Sequence, residues 1–557
     1  MIKPYAWMLL AGLATLSAHA GEVRFTEVAY SGGDREPAIA AHQFRNPVVA
    51  GFYPDPSAIR VGDDFYLVNS SFGYFPGLPV FHSTDLVSWE QIGNAIDRPG
   101  QIDYGDKEEL TRGLFAASIS HHDGTFYIVN TCFYCDHGNF VVTAKDPAGP
   151  WSDPVWLGFT GIDPSLFFDD DGSAWMVNND VPQGPMRYDG HRAIWLQRFD
   201  AATMKMTGPR TVLVDGGADP ASKPEHVEGP HLFKRGGWYY LTAAEGGTGD
   251  MHAQMVWRSR KVEGPYEAFA GNPSLTQRDL DPNRPRPVTS TGHAQFVGLK
   301  DGSWWAVFLA TRPYPGDQYK YNLGRETFLL PVAWKDGWPI VLPRGQVVPT
   351  IAERPHLPRN AQSIPASGPI AWHERFAGPE LPLPWMTIHP PKTAWFRTGA
   401  DGLVMAPSST PLGEVGPQQA SYLAHRLQHH RARMTATLAP WNPVVGERAG
   451  LALIQNETHH YLAVVERDER GPAISVYLRA GKDDPATGKR VQRVALASTD
   501  EPVSLRFDLD APRLDVLYSI DGGDWKPVAS GLDSSLLSVQ TAGGFIGNTF
   551  GPYAYRP

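Results

Sequence analysis

One local pattern recurs five times in this chain and limits the folds that the chain can adopt. Each copy is a tight turn followed by a short strand rich in aromatic and β-branched residues, and a second apolar strand precedes it. Several copies turn at Asp-Gly, where glycine accepts the positive φ of a tight hairpin. The pattern therefore indicates five similar hairpins. The copies are Asp63–Val68, Asp123–Val129, Asp171–Val177, Arg235–Leu241 and Asp301–Val307.

The spacing of the copies, about 50–65 residues, predicts an all-β, five-bladed β-propeller. A second element follows some copies: Thr143–Trp151 resembles Ser259–Tyr266, and Ser83–Trp89 is a looser relative. This element indicates the outer hairpin of each blade. Closing the ring of blades leaves no exposed sheet edge. Five unrelated hairpins are the alternative, but the shared order of elements argues against it.

The 557 residues are too many for one hydrophobic core, and the pattern changes after the repeats. We expect the propeller to occupy residues 21–341, with a proline-rich linker over 342–369. Residues 370–557 show alternating apolar and polar residues without the blade pattern, and this predicts a β-sandwich. Runs such as Arg433–Leu438 and Leu514–Ile520 carry that alternation.

Residues 1–20 predict a signal peptide. Lys3 precedes the apolar stretch Ala6–Leu16, and Ala18-His19-Ala20 forms a cleavage site before Gly21. No other segment is typical of a membrane helix, so we expect a secreted or periplasmic protein. The two cysteines, Cys132 and Cys135, are too few for a disulfide scaffold, although export permits a disulfide in a short, strained loop. A lone C-x-x-C is weak evidence for zinc, so the sequence favours a structural or incidental role.

Composition narrows the class of partner. The net charge of −10 argues against nucleic acid, which requires clustered Lys and Arg. The chain carries 17 Trp, 21 Tyr and 25 Phe, and aromatic faces pack against the C–H faces of sugars as well as in a core. No pattern in the sequence indicates an oligomeric state.

Three acidic residues lie where the first strands of different blades begin. Asp55 is in Tyr53-Pro54-Asp55-Pro56-Ser57, Asp163 is in Ile162-Asp163-Pro164-Ser165, and Glu228 is in Glu228-Gly229-Pro230. Asp-Pro is common turn chemistry, so each residue alone has a structural explanation. Together, three carboxyls facing one end of the channel would repel one another, a cost that folding alone does not explain. We therefore expect them to share one pocket.

These motifs, together with Thr291-Gly292-His293-Ala294 and Leu323-Gly324-Arg325-Glu326-Thr327, resemble those of glycoside hydrolase family 43. The resemblance covers about residues 45–340. The C-terminal region resembles the concanavalin-like sandwich of the family's β-xylosidase branch. The resemblance implies an inverting hydrolase that releases xylose from the non-reducing end of xylo-oligosaccharides or xylan side chains. It implies a xylo-oligosaccharide or arabinoxylan-derived substrate and no required cofactor.

Matching motifs imply a role for each residue. Asp55 is expected to be the general base, Glu228 the general acid, and Asp163 the group that raises the pKa of Glu228 and orients it. An inverting pair needs carboxyls roughly 6.5–9.5 Å apart. Glu225, which lies three residues before Glu228, is a rival acid.

The resemblance also implies a binding pocket. Arg325 is expected to bind substrate hydroxyls, although a surface ion pair with Glu326 is the alternative. His293 is expected near the channel centre, beside a structural calcium or water, although one histidine is a poor metal site and a hydrogen-bonded core histidine is the better expectation. Phe115 stands where many relatives have the tryptophan of Trp-Ala-Pro, which leaves substrate choice open. Phe72, Phe75 and the loop 130–140 are expected at the rim.

Three alternatives stay open at this point. The first is an α-L-arabinofuranosidase, because the two pentoses present hydroxyls in similar directions. The second is a carbohydrate-binding protein without catalysis, although all three carboxyls are present. The third is a retaining enzyme on a related propeller, whose Asn-Asp-Pro-Asn motif does not occur at the first blade. The sandwich is either a sugar-binding module or a structural lid, and the extent of the resemblance favours the lid.

Overall fold

A computed structural model describes residues 21–35, 37–105, 109–135, 138–317, 319–360, 366–414 and 419–557. The predicted signal peptide, residues 1–20, lies outside the described residues. The fold is almost entirely β, and the predicted architecture of a five-bladed propeller followed by a concanavalin-like sandwich is confirmed. Within the described ranges, no helix is long and apolar enough to cross a bilayer.

Each blade is an antiparallel sheet whose strands lie side by side in the order in which they occur in the chain. In blade 4, the additional strand Leu275–Thr276 pairs with Ala253–Ser259. The strands run outwards from the channel in the following order: Ser57–Val61, Asp64–Val68, Gly77–Ser83 and Glu90–Ile96 in blade 1; Leu114–His122, Thr125–Cys132, Asn139–Ala144 and Val155–Trp156 in blade 2; Ile162–Phe168, Ala174–Asp180, Ala193–Asp200 and Lys205–Asp215 in blade 3; Glu228–Arg235, Trp238–Glu245, Ala253–Ser259 and Glu267–Ala268 in blade 4; Thr289–Gly298, Trp304–Thr311, Glu326–Lys335 and Trp338–Ile340 in blade 5.

The predicted turns form as their residue types require. Asp123 and Gly124 have φ of 46° and 68°, the two positive values of a tight hairpin turn between the first two strands of blade 2. The ring is closed by the segment before blade 1, because Val48 donates a backbone hydrogen bond to Thr327 of blade 5 at 2.8 Å. A short ladder between Gln43–Arg45 and Ile351–Glu353 lies beside this closure.

The sandwich consists of two large sheets around a common core. Strand Arg431–Leu438 shows why its sequence forms this structure: Ala432, Met434, Ala436 and Leu438 are buried, and the residues between them face outwards. One sheet contains, in spatial order, Phe396–Gly399, Gly402–Met405, Val23–Gly32, Arg431–Leu438, Val503–Asp510, Arg513–Ile520 and Lys526–Asp533, with Ile370–Glu374 also pairing with Val23–Gly32. The other contains Lys489–Ala495, Gly471–Ala480, His459–Asp468, Arg448–Asn456, Thr549–Tyr555, Ser421–Arg426, Met386–Ile388 and Tyr74–Phe75.

Short helical turns complete the described secondary structure. They are the 3-10 helices Pro220–Ser222 and Ser534–Leu537 and the α-helix Val539–Ala542.

The two domains exchange strands, which the sequence-based boundaries do not anticipate. Strand Val23–Gly32, predicted within the propeller range 21–341, lies in the sandwich, where its apolar side chains join the core. Conversely, Tyr74–Phe75 leaves the propeller to pair with Met386–Ile388 of the sandwich. Phe75 therefore packs at the domain boundary and does not line the pocket rim where we expected it.

The proline-rich segment 342–369 packs along the propeller over its described part. Its strand Ile351–Glu353 pairs with the propeller, and Arg354 donates from Nη2 to Asp85 at 2.6 Å. Residues 361–365 lie outside the described residues. The segment therefore connects the domains while attached to one of them.

Cys132 and Cys135 form a disulfide with their Cα atoms 5.3 Å apart. The bond ties the end of strand Thr125–Cys132 to the loop that follows it. The two residues between the cysteines, Phe133 and Tyr134, are therefore carried on a cross-linked loop.

Candidate active site

One cavity of about 590 Å³ at an end of the propeller channel brings together the three predicted carboxyls and most of the predicted binding residues. Its lining includes side chains from every blade and one from the sandwich. Asp55 comes from blade 1, Asp163 from blade 3 and Glu228 from blade 4. The other predicted residues lining this cavity are Phe72, Phe115, His293 and Arg325.

Irregular backbone at the start of the inner strands places these side chains. Asp163 and His293 have φ of 54° and 53°, and the ladder register of each strand shifts at that point. In blade 4 the same place is taken by Gly229, with φ of 59°, so Glu228 lies one residue earlier than its counterparts. Such bulges bend a strand and redirect its side chains. Asp55, Asp163 and Glu228 thus enter the cavity from the start of the inner strand in three different blades.

Gly229 has no room for a side chain. A Cβ at this position would lie 1.7 Å from Cδ2 of His293, and the residue already has a left-handed φ. Its backbone N–H donates to Oδ2 of Asp163 at 3.1 Å. The Glu-Gly-Pro sequence therefore allows the imidazole of His293 to lie directly against the strand that carries Glu228.

Asp55 is buried, 5% exposed, and surrounded by donors. Burial alone would raise its pKa, but the guanidinium of Arg325 and the imidazole of His293 more than offset that cost. Arg325 donates from Nη1 to Oδ1 at 2.7 Å, His293 donates from Nδ1 to Oδ1 at 3.2 Å, and Ser70 donates to Oδ2 at 2.5 Å. The pKa of Asp55 is held well below its usual range, so the carboxylate is ionised at neutral pH.

Glu228 is in the opposite protonation state. Burial and the nearby charge of Asp163 raise the pKa of Glu228 to about 8. Burial and the nearby charge of Asp55 raise the pKa of Asp163 to about 6, against the opposing effects of His293 and the Gly229 N–H. At neutral pH Glu228 is therefore protonated while Asp55 and Asp163 are ionised, a separation of roles typical of acid–base pairs.

His293 lies between the carboxylates. Its Nδ1 contacts Asp55, and its Nε2 is 3.9 Å from Oδ2 of Asp163. Burial lowers its pKa, but the three carboxyls together raise it above its ordinary value. Calcium prefers six to eight oxygen ligands, and both nitrogens of this ring already face carboxylates. Over the described chain, no cluster of three or more His, Cys, Asp or Glu side chains is arranged to hold a metal ion.

Four phenylalanines form one wall of the cavity. Phe72 is 2% exposed and contacts Phe115, which is 9% exposed, with ring centroids 5.3 Å apart. Phe115 stacks on Phe133 at 5.0 Å, and Phe133 is 46% exposed. The rings of Phe72 and Phe545 also stack, at 6.1 Å. The wall therefore rises from a buried floor to an open mouth.

Family models match both parts of the chain. Residues 44–339 match glycosyl hydrolases family 43, and residues 373–557 match the beta xylosidase C-terminal concanavalin A-like domain. The chain belongs to glycosyl hydrolase family 43. It is a glycosidase, and Asp55, Asp163 and Glu228 all lie in the part of the chain that matches the family 43 model.

Known proteins are similar to this family 43 chain over most of its length. A xylosidase/arabinosidase of Butyrivibrio fibrisolvens is 37% identical over 91% of this chain and 95% of its own length. A non-reducing end alpha-L-arabinofuranosidase of Bacteroides ovatus is 36% identical, covering 93% and 92% of the two chains. A crystal structure described as a GH43_12 retrieved from a capybara gut metagenome superposes with a TM-score of 0.88 at 34% sequence identity. The match covers 96% of this chain and 100% of that chain.

Arg325 is not part of the surface ion pair offered as its alternative role. It is 5% exposed and contacts Asp55. Glu326 is instead fully buried. Its Oε2 accepts a hydrogen bond from Nε of Arg312 at 2.6 Å, and its Oε1 accepts one from the backbone N–H of Gly51 at 2.7 Å. The two neighbours thus have separate partners: Arg325, just before strand Glu326–Lys335, contacts Asp55, and Glu326 holds the backbone segment that leads to Asp55.

Sequence reasoning missed the part of the site that comes from the sandwich. The backbone oxygen of Phe545 accepts from Arg325 Nη2 at 3.4 Å, and its N–H donates to Oγ1 of Thr111 at 2.6 Å. The stretch Gly543-Gly544-Phe545-Ile546-Gly547 sets one aromatic among glycines, and that is the signal that could have suggested it. Glu225, the rival acid, also lines the cavity, with 63% of its side chain exposed near His226.

Proposed function

We propose that the chain is an exo-acting β-D-xylosidase that cuts xylose from the non-reducing end of xylo-oligosaccharides, with inversion at the anomeric carbon. The observation that carries the proposal is the contrast between Glu228, whose pKa is raised to about 8, and Asp55, whose pKa is held low, in one cavity. A protonated carboxyl and an ionised one are what acid- and base-assisted cleavage of a glycosidic bond requires.

Each proton has a donor and an acceptor in the proposed reaction. Asp55 accepts a proton from water while the water oxygen bonds to the anomeric carbon. Glu228 gives its proton to the glycosidic oxygen as the bond between that oxygen and the anomeric carbon breaks. Asp163 keeps Glu228 protonated beforehand, because a second negative charge beside it is unfavourable. No metal takes part in this sequence.

Arg325 and the two buried phenylalanines of the wall, Phe72 and Phe115, are proposed to hold the terminal sugar. Arg325 lies beside Asp55 and within 5.8 Å of the Phe72 ring, so a sugar bound there would meet donors on one side and apolar rings on the other. Phe545 contacts Arg325, so the sandwich would also border this proposed inner subsite. This contact supports the structural-lid role of the sandwich over that of an independent sugar-binding module.

An α-L-arabinofuranosidase is the second candidate, and the relatives support it specifically. The Bacteroides ovatus protein carries that name at 36% identity, and the Butyrivibrio fibrisolvens protein is named xylosidase/arabinosidase. We also propose that the protein is exported, to the periplasm or outside the cell. The Cys132–Cys135 disulfide supports an oxidising compartment, and the signal-peptide pattern agrees.

Two kinds of assay test the proposal. kcat/KM for 4-nitrophenyl β-D-xylopyranoside is compared with that for 4-nitrophenyl α-L-arabinofuranoside, and the xylosidase assignment expects the first to be larger. Asp55→Ala and Glu228→Ala are each expected to reduce kcat with a natural disaccharide by about 10²–10⁴-fold. Glu225→Gln serves as the control for a carboxyl in the same cavity and is expected to stay close to wild type. Retained turnover in both alanine variants would refute the assignment.

A further inference from the structure

We propose that Arg112 and Phe133, at the mouth of the cavity, form the subsite for the leaving-group sugar, and that the Cys132–Cys135 disulfide positions this subsite. The inference rests on the proposed function, because it takes the sugar beside Asp55 as the one that is released. It assigns the outer part of the cavity to the sugar on the other side of the cleaved bond.

The depth of the rings identifies which sugar each can meet. Exposure rises from Phe72 to Phe115 to Phe133, from 2% to 9% to 46%. The proposed base and Arg325 lie at the buried end, so the released sugar occupies that end. Glu228 protonates the oxygen that joins the two sugars, so the leaving sugar lies outward of it. Phe133 is the ring in this wall with enough open surface to pack against that sugar.

Arg112 provides a charged side chain beside the apolar ring of Phe133 at the mouth of the cavity. Its guanidinium lies 4.7 Å from the Phe133 ring centroid and 5.6 Å from that of Phe545. Nε donates to Glu109 Oε2 at 3.3 Å, and among the described residues the two Nη atoms have no hydrogen-bond acceptor. Cation–π contacts with these two rings hold the guanidinium at the mouth of the cavity. Its outer N–H groups are therefore available to hydroxyl groups of a sugar that packs on Phe133.

The disulfide loop sets where Phe133 stands. Cys132 and Cys135 enclose Phe133 and Tyr134, and the Phe133 N–H donates to the backbone oxygen of Gly113, next to Arg112, at 2.8 Å. Thr111, on the other side of Arg112, accepts the Phe545 N–H. One short segment of blade 2 thus fixes the disulfide loop and the sandwich loop on either side of Arg112. The two cysteines are positioning residues in this account.

Two substrates separate binding of the leaving group from chemistry. Xylobiose fills the proposed subsite with a sugar, whereas methyl β-D-xylopyranoside has a comparably poor alkoxide leaving group and no ring to place there. Phe133→Ala is expected to lower kcat/KM for xylobiose about tenfold, mainly through KM, and to leave the methyl glycoside within about twofold of wild type. Arg112→Gln is expected to act in the same direction. The double variant Cys132→Ser/Cys135→Ser should raise the KM for xylobiose alone.

Trp525→Ala is the matched control. Trp525 is an exposed ring under Arg506 at 4.1 Å, a similar pair on the sandwich and outside the cavity lining, so both substrates should be unaffected. Equal losses on both substrates, or no loss on xylobiose, in Phe133→Ala would overturn the inference. If the wild-type enzyme releases arabinose instead of xylose, the same comparison is made with a methyl arabinofuranoside and an arabinofuranosyl disaccharide as the two substrates. A wild type that hydrolyses neither pentoside refutes the proposed function itself, so the two failures are distinguishable.

Discussion

Arg325 donates a hydrogen bond from Nη1 to Oδ1 of Asp55 at 2.7 Å, and neither side chain is more than 6% exposed. Taking a carboxylate out of water raises its pKa, yet this ion pair, with His293, holds the pKa of Asp55 below its usual range. The proposed base thus stays charged although it is buried. The same arginine contacts the backbone of Phe545, so the charge state of the base depends on an arrangement that includes both domains.

Arg325→Gln should expose this dependence. Without the guanidinium, burial of Asp55 is no longer offset, so its pKa rises and the base becomes protonated at higher pH than in wild type. We expect kcat/KM to fall at least about 100-fold near neutrality and to fall further towards about pH 5. The pH profile of kcat/KM measures this. Arg192→Gln, at another arginine of the cavity lining, is the control, and an unchanged acid limb in Arg325→Gln contradicts the account.

The alkaline limb of the pH profile should report Glu228. Its pKa is raised to about 8, so the proposed acid is protonated below about pH 8. As the pH rises above that value, Glu228 loses its proton and the activity of the enzyme falls. Asp163→Asn removes a negative charge that raises this pKa, and the limb should move to lower pH by about one unit. A limb that stays in place, or moves upwards, in Asp163→Asn would show that Asp163 does not control the protonation of Glu228.

Gly229→Ala tests the close contact under the catalytic strand. The new methyl group would lie 1.7 Å from the His293 ring unless that ring moves, and the ring holds Asp55 on its other side. We expect about a 10²-fold or greater loss of kcat/KM, as for misplacement of a reacting group, in a protein that still folds. Activity and circular dichroism are measured together. Gly302→Ala, in a turn where a Cβ meets no atom within 4 Å, is the control.

Removal of residues 370–557 should abolish activity together with solubility. Strand Val23–Gly32 would lose its partners in the sandwich and expose Phe25, Val28 and Tyr30, which are now buried. The cavity would also lose Phe545, and with it a contact of Arg325. Size-exclusion chromatography and xylosidase assays of the truncated chain test this. A monomeric, fully active fragment would instead show that the sandwich is an independent module.

Local chemistry made much of the fold predictable. Asp123-Gly124 has the residue types of a tight hairpin turn. The turn-and-strand unit occurs five times, which predicts the five blades. The motif residues Asp55 and Arg325 were found because each is marked by its neighbours in the chain. The pairing of Val23–Gly32 with the sandwich was not predictable, because the alternation that makes a strand does not specify a distant partner.

The same limit applies within the site. Phe545 reaches Arg325 across 220 positions of sequence, and no periodicity connects the two. Arg325 and Glu326 are adjacent charges of opposite sign, which suggested an ion pair between them. Arg325 lies just before strand Glu326–Lys335 and pairs with Asp55, whereas Glu326 begins the strand and pairs with Arg312. The partners therefore had to come from the three-dimensional structure.

The stereochemistry of the first product tests the central claim, that a water activated by Asp55 attacks while Glu228 protonates the departing oxygen. Proton NMR of a fresh digest of a β-xyloside, recorded before mutarotation, distinguishes the two anomers of xylose. We predict that α-xylose appears first and β-xylose only later. If β-xylose appears first, the reaction retains configuration, and the roles proposed for Asp55 and Glu228 are wrong.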